Sequence, residues 1–326
     1  MIKRLFVLAA IVALACVGWL AYFSQTVLEL PQRPFAFEVK QGTSLKTVSR
    51  QLTAAGLLRE PWSFTLLVRV LGKATELKAG NYLVERNPTP LELFRMITKG
   101  AVQQNEIRFI EGWNFRQVRQ ALDENPALVH ETAGRSDLEL LKRLGVPETQ
   151  PEGLFFPDTY YFSGGMSDVA ILRRAYTLMQ NHLAREWETR QPGLPYATPY
   201  EALTMASIVE KETGAAAERP MIAGVFVNRL RLGMRLQTDP TVIYGLGDRF
   251  DGNLHKQDLL TDTPYNTYTR TGLPPTPIAM PGLEALRAAL QPAATKALYF
   301  VSKGDGTHYF SGTLDEHNRA VARYQK

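Results

Sequence analysis

Between Leu5 and Phe23 the chain reads LFVLAAIVALACVGWLAYF, an apolar run of 19 residues without a charge. At roughly 1.5 Å per residue a helix of that length covers about 30 Å, the thickness of a bilayer's hydrocarbon core. Lys3 and Arg4 precede it and Glu29 follows, so the positive-inside asymmetry keeps the N-terminus in the cytoplasm and sends the bulk of the chain across. The pattern predicts a short tail over 1–4 and a transmembrane helix over 5–24. A cleaved signal peptide is the competing reading, but the run outlasts a typical signal core and no small-x-small site follows Tyr22-Phe23.

The next pattern is shorter in period. Residues 25–34 contain TVLELPQRP, with two prolines and no clean repeat, and read as a linker. Phe35-Ala36-Phe37-Glu38-Val39 alternates as a strand; Gly42-Thr43-Ser44 supplies a turn and a cap; Leu45, Val48 and Leu52 form a helical stripe that stops at Gly56. The rhythm recurs in Ala79 to Val84, followed by Thr89-Pro90-Leu91-Glu92, an N-cap with proline at the first helical position and a capping-box glutamate. Ile107 to Ile110 and Asn114-Phe115-Arg116-Gln117 predict a third strand and capped helix. The string QGTSLKTVSRQL resembles a lysine motif, which makes 35–103 either a small LysM-like carbohydrate-binding α/β domain or a spacer.

Helical periodicity returns over Leu138–Leu144 and Val169–Glu188, and again, after the break Pro192-Gly193-Leu194-Pro195, in ALTMASIVEKET. Beyond Gly233 prolines at 240, 264, 274, 275, 277 and 281 predict loops and short strands, where function concentrates. Leu298 to Val301 and His308 to Phe310, joined by Lys303-Gly304-Asp305-Gly306, read as a hairpin, and a final helix starts near Thr313. The expected fold class is α+β: the transmembrane helix, the small LysM-like α/β domain, and a larger mixed α+β catalytic domain over 104–326.

Charge narrows the partners. Net charge is +5, and Lys3 and Arg4 carry two of it, an excess too small to imply nucleic acid but compatible with an anionic polymer. Cys16 is the only cysteine and lies in the apolar run, so no disulfide, thiol nucleophile or cysteine-based zinc site is expected in the exported part. His308, His317, Asp158 and Asp239 have no recognised metal-ligand spacing, and Ser207 sits in mid-helix without the elbow a serine nucleophile needs.

On a helical wheel of about 100° per residue, Met205, Ile208 and Val209 form an apolar face that Glu212 shares; Glu210 projects about 200° away from it and Lys211 faces the wetter side. A carboxyl among apolar neighbours keeps its proton to higher pH, as a general acid must. The same placement also suits a glutamate that only hydrogen-bonds a loop. Downstream, GMRLQTDPT and Tyr265-Asn266-Thr267-Tyr268 gather the amides, hydroxyls and rings that bind sugars.

Taken together, Glu152-Gly153, Phe156-Pro157-Asp158-Thr159-Tyr160, ASIVEKET, Asn228-Arg229-Leu230, GMRLQTDPTVIYG, YNTYT and Gly272-Leu273-Pro274-Pro275 resemble the MltG (YceG-like) family of endolytic murein transglycosylases. The resemblance implies a single-pass enzyme of the inner membrane, its bulk periplasmic. It would cut nascent peptidoglycan glycan strands without a cofactor and work beside peptidoglycan synthases of the wall-building machinery. It assigns Glu212 as the catalytic residue; Gln237, Asp239, Asn266 and Tyr268 are the expected substrate-binding residues. A hydrolytic muramidase using Asp239 or Glu218 as a second carboxylate, and a glycan-binding scaffold without activity, are the alternatives.

Overall fold

The computed structural model describes residues 2–33, 35–84, 86–99, 105–162 and 164–325, with backbone alone at 2–10, 12, 13, 81 and 83. The chain divides into two compact units, Met1–Glu106 with Tyr161–Gly165, and Ile107–Tyr160 with Met166–Lys326.

The first unit begins with helix α1 (Ile2–Gln25). Among the described residues no helix is long and apolar enough to cross a membrane. The span expected over 5–24 falls in part on side chains outside the described residues. From Leu14 onward α1 leaves Leu14, Val17 and Tyr22 exposed, and Trp19 stacks on Trp62 with ring centroids 4.9 Å apart.

After α1 come β1 (Phe35–Val39), α2 (Leu45–Ala54), α3 (Pro61–Val70), β2 (Gly80–Val84) and α4 (Pro90–Lys99). The two strand-then-helix stretches are one fold, not successive modules: β1 and β2 pair antiparallel, Phe35 opposite Val84 and Phe37 opposite Tyr82. The alternation in β1 puts Phe35, Phe37 and Val39 into a core with Val48, Leu52 and Phe64. Caps are local and strong. Ser44 accepts from the Thr47 N–H; Glu60 accepts from Trp62 and Ser63 ahead of Pro61; Thr89 and Glu92 exchange side-chain-to-backbone bonds of 2.9 and 3.2 Å. The linker is not free. The Leu28 N–H donates to Pro88 O (2.8 Å), the Leu30 N–H and the Arg33 guanidinium reach Asn87 Oδ1, and Leu28 and Leu30 pack on the core.

Strand β3 (Asn105–Arg108) leads into the second unit, which holds α5 (Phe115–Asp123), β4 (Leu128–Val129), α6 (Asp137–Leu144), the first two residues of β5 (Thr159–Phe162), β6 (Met166–Ser167), α7 (Asp168–Glu188), α8 (Pro199–Glu212), α9 (Arg219–Arg231), α10 (Asp239–Leu246), α11 (Lys256–Leu260), α12 (Leu283–Leu290), β7 (Tyr299–Ser302), β8 (His308–Ser311) and α13 (Leu314–Tyr324). β4 pairs parallel with β6, and β7 with β8 forms the expected hairpin, Tyr299 opposite Ser311. The stretch after Gly233 differs from the loops and short strands expected there. It contains α10, α11 and α12, and among the described residues no strand before β7. Pro240 is not a breaker but the second residue of α10, where its missing N–H costs nothing.

Helix α8 is the centre of this unit, packed against α7, α9, α10 and α12, with every residue from Ala202 to Val209 buried. It therefore has no wet side over that stretch, and the apolar stripe drawn on the wheel is one sector of a helix buried all round. Glu212 owes its position to being the last residue of α8, where the rod leaves the core.

Candidate active site

Three segments converge where α8 ends. The first is α8 itself, delivering Glu212. The second is the turn from Leu236 to Asp239, which opens α10; the third is the β7–β8 hairpin with α13. With the loop that carries Tyr268 they enclose a cavity of about 600 Å³ lined by Glu212, Gln237, Asp239, Tyr268, Tyr299 and His308, among others.

The turn is fixed from behind by Arg229 on α9. Its guanidinium is buried and donates to Leu298 O (2.6 Å), Leu236 O (2.8 Å), Arg235 O (3.2 Å) and Gln237 Oε1 (3.4 Å), and it lies 5.1 Å from the Tyr299 ring centroid. One fork of donors thus ties the turn to the segment entering β7. Gln237 has φ of 50°, the left-handed region that costs a non-glycine residue about 1–2 kcal/mol, and among the described residues it is the only non-glycine there. Its N–H is held by Thr267 O at 3.1 Å. Strain of this kind persists where surrounding structure over-determines it, often at a functional turn.

Glu212 is mostly buried, and its Oε1 accepts from the Thr238 hydroxyl. Burial pushes its carboxyl from the usual 4.5 up to about 7; the Thr238 bond pulls the other way, the Asp239 charge adds to the rise, and His308 and Arg229 oppose it. Desolvation wins, so near neutral pH the acid is present in both protonation states. Asp239 opens α10 and accepts from the Tyr268 hydroxyl at 2.5 Å, which joins two of the expected residues into one wall.

Asn266 is a correction. It is fully buried and does not line the cavity. Its amide nitrogen donates to Asp258 O (3.0 Å), Leu259 O (3.2 Å) and Thr261 O (2.7 Å), and its Oδ1 accepts from the Tyr268 N–H (2.8 Å). It shapes the loop that presents Tyr268, work that composition alone cannot distinguish from sugar binding. Glu218 also stands apart from the cavity lining. It accepts from the His308 N–H (3.0 Å) and pairs with His308 Nδ1 (2.7 Å), so it orients an imidazole. Glu210 pairs with Arg219 (3.0 Å) and accepts from the Gly282 N–H (2.9 Å), away from the cavity that Glu212 lines. Ser207 is buried, bonded to Thr204 O and the Ile278 N–H.

Sequence reasoning missed Arg229, Thr238 and His308. Arg229 and Thr238 lie inside strings already singled out, but Leu298, which Arg229 ties to the turn, and Glu212, which Thr238 meets, come from other elements; His308 becomes notable only through Glu218, 90 residues away.

Glu212 thus sets a carboxyl that keeps its proton toward neutral pH in a polar cleft with aromatic walls, an arrangement able to give and take a proton. The family model for the YceG-like family matches residues 37–323. The chain is 32% identical over 304 residues to a Bacillus subtilis protein named endolytic murein transglycosylase, covering 88% of this chain and 83% of that one. Proteins of the same name from two Streptococcus pneumoniae strains are 27% identical over 363 aligned positions, covering 98% of this chain and 65% of theirs. A crystal structure of a YceG-like protein from Listeria monocytogenes matches with TM-score 0.57 and 29% identity, over 88% of this chain and 98% of that one. The chain belongs to the YceG-like family.

Proposed function

We propose that this protein is an endolytic murein transglycosylase with Glu212 as its acid–base group. The observation that carries the reading is the placement of Glu212: a carboxyl titrating at about 7 on the wall of a cleft of about 600 Å³. Protonated Glu212 gives its proton to the oxygen linking N-acetylmuramic acid to N-acetylglucosamine, and the bond from C1 to that oxygen breaks. The resulting carboxylate takes the proton of the muramoyl C6 hydroxyl as that oxygen bonds to C1, closing a 1,6-anhydro ring. The proton count returns to its start, no water is consumed, and one carboxyl serves both halves. Proton transfer of this kind contributes roughly 10²–10⁴-fold, so Gln237, Asp239 and Tyr268 are assigned to orienting the sugar.

Asp239 lines the same cleft, and this favours hydrolysis as a second reading, because a second carboxylate can position water. Digestion of glycan strands by the purified protein, with products weighed, separates the two: anhydro ends are lighter by one water. Glu212→Gln is expected to lower the rate at least about 10²-fold with the fold intact. Unchanged cleavage in that variant ends the proposal, and fragment-free binding by the parent protein leaves a glycan-binding scaffold.

We also propose that α1 anchors the chain in the inner membrane, with the bulk periplasmic, and that the first unit is LysM-like. The apolar run over 5–23 and the preceding cations support the anchor. Trp62, Leu66 and Val70 add an exposed apolar stripe at i, i+4, i+8 on α3, beside Lys46, Arg50 and Arg69, as suits a headgroup layer. The antiparallel β1–β2 pair enclosing two helices supports the LysM-like reading.

A further inference from the structure

One wall of the Glu212 cleft has no part in the proposed reaction. It is built by the β7–β8 hairpin and α13, and Tyr299, Ser302 and His308 line it from the hairpin, His317 and Asn318 from α13. Gln237, Asp239 and Tyr268, assigned above to orienting the sugar, belong to other segments. His308 lines the same cavity as Glu212, and a charge on its ring opposes the burial-driven rise of that carboxyl.

His308 is held from outside the cleft lining by Glu218, which closes the single turn Ala216–Glu218 ahead of α9. One carboxylate oxygen accepts from the His308 N–H at 3.0 Å, and the other meets the ring at Nδ1, 2.7 Å away. Burial works to raise the Glu218 carboxyl, yet the bonds from His308 bring it below the usual 4.5, so near neutral pH it is a carboxylate and can only accept. The hydrogen between the two groups therefore sits on Nδ1. Phe300 meets the imidazole edge-on at 5.4 Å between centroids, and Phe310 lies 6.4 Å away, so the ring is packed as well as bonded.

If Glu218 only pinned the hairpin to the segment between α8 and α9, its bond to the backbone N–H would suffice. Engaging Nδ1 does something more: it sets the plane and tautomer of the ring. Nε2 is left as the one polar atom of the side chain without a hydrogen bond among the described residues. That nitrogen accepts in the neutral imidazole and donates in the imidazolium, and a sugar hydroxyl, which does both, can meet either form.

Resting on the transglycosylase reading, we propose that His308 is a substrate-binding residue, its Nε2 hydrogen-bonded to a hydroxyl of the glycan, and that Glu218 is the positioning residue that aims it. A strand cut internally continues on both sides of the broken bond, so a cleft that cuts it needs sugar contacts on more than one wall.

The test replaces His308 in two ways. Asparagine sets its amide where Nδ1 stood, so His308→Asn keeps a bond to Glu218 and gives up the one in the cleft; glutamine carries its amide out to the place of Nε2, so His308→Gln does the reverse. Binding is measured in the full chain in detergent, carrying Glu212→Gln, with an alternating β-1,4 tetrasaccharide of N-acetylglucosamine and N-acetylmuramic acid as the probe. His308→Asn is expected to raise Kd about tenfold with the thermal melt unchanged, and His308→Gln to raise it about threefold or less. Glu218→Gln is expected to weaken binding severalfold when His308 is present and to add nothing in the His308→Asn background. Unchanged affinity in His308→Asn, or better retention by His308→Asn than by His308→Gln, overturns the inference while cleavage by the unsubstituted protein still tests the transglycosylase reading on its own. Equal weakening by Glu218→Gln in both backgrounds overturns the positioning role. If affinity depends on His308 as expected but the unsubstituted protein releases no fragments, the wall binds glycan and the transglycosylase reading falls.

Discussion

At the scale of single residues, two opposing effects dominate where Glu212 gives up its proton. Burial lifts its carboxyl and the Thr238 hydroxyl lowers it, with the net at about 7. A general acid must carry its proton into the reaction, so kcat/KM is expected to fall about tenfold per pH unit above about 7. In Thr238→Val the stabilising bond to the ionised form is gone, the folded pKa rises, and the falling limb moves to higher pH. A limb that stays in place or moves down shows that Thr238 does not set the acid's strength. The wheel singled out Glu212, but not the reason for its setting. The stripe Met205, Ile208, Val209 suggested a half-wet helix, whereas the burial of α8 on every side decides the environment at its end. Thr238 and Arg229 were out of reach because their partners come from other elements.

At the scale of elements, what is local was legible. The Thr89–Glu92 and Asn114–Gln117 boxes, the β7–β8 hairpin and the start of α13 at Thr313 each join residues a few positions apart. The β1–β2 pairing was not, since strand alternation names a strand without naming its partner. The prolines after Gly233 misled because proline opens a helix as readily as it ends one. Glycine provides a test of packing between elements. A Cβ on Gly224 in α9 would stand 2.6 Å from Ala293 O and 2.9 Å from Thr295 Cγ2, in the segment that Asn228 bonds at Thr295 O and Ala297 O. Helix propensity favours alanine over glycine by about 1 kcal/mol, but forced overlap with backbone costs about 1–3 kcal/mol. Sterics win, so Gly224→Ala is expected to lower the Tm by several degrees in a thermal melt. A raised Tm would show that α9 can move aside.

At the scale of the whole molecule, the sequence separated an apolar N-terminal run from the folded chain, and α1 now has a described neighbour in α3 through the Trp19–Trp62 stack. If that end of α1 sits at a bilayer surface, Trp62, more than half exposed, is in the headgroup layer. In the full chain reconstituted into vesicles, with the other three tryptophans replaced by phenylalanine, a lipid-borne quencher is expected to dim Trp62 strongly. Emission unaffected by the quencher places α3 in bulk water and removes the support its stripe gives to the anchor. The linker bonds bear on the same point. A free stretch over 26–34 could stretch to about 30 Å, yet Leu28 and Leu30 are fastened to Pro88 and Asn87. If α1 is the anchor proposed above, these bonds make the first unit a rigid post on that helix and not a float on a tether, with no slack between the end of α1 and the β1–β2 core.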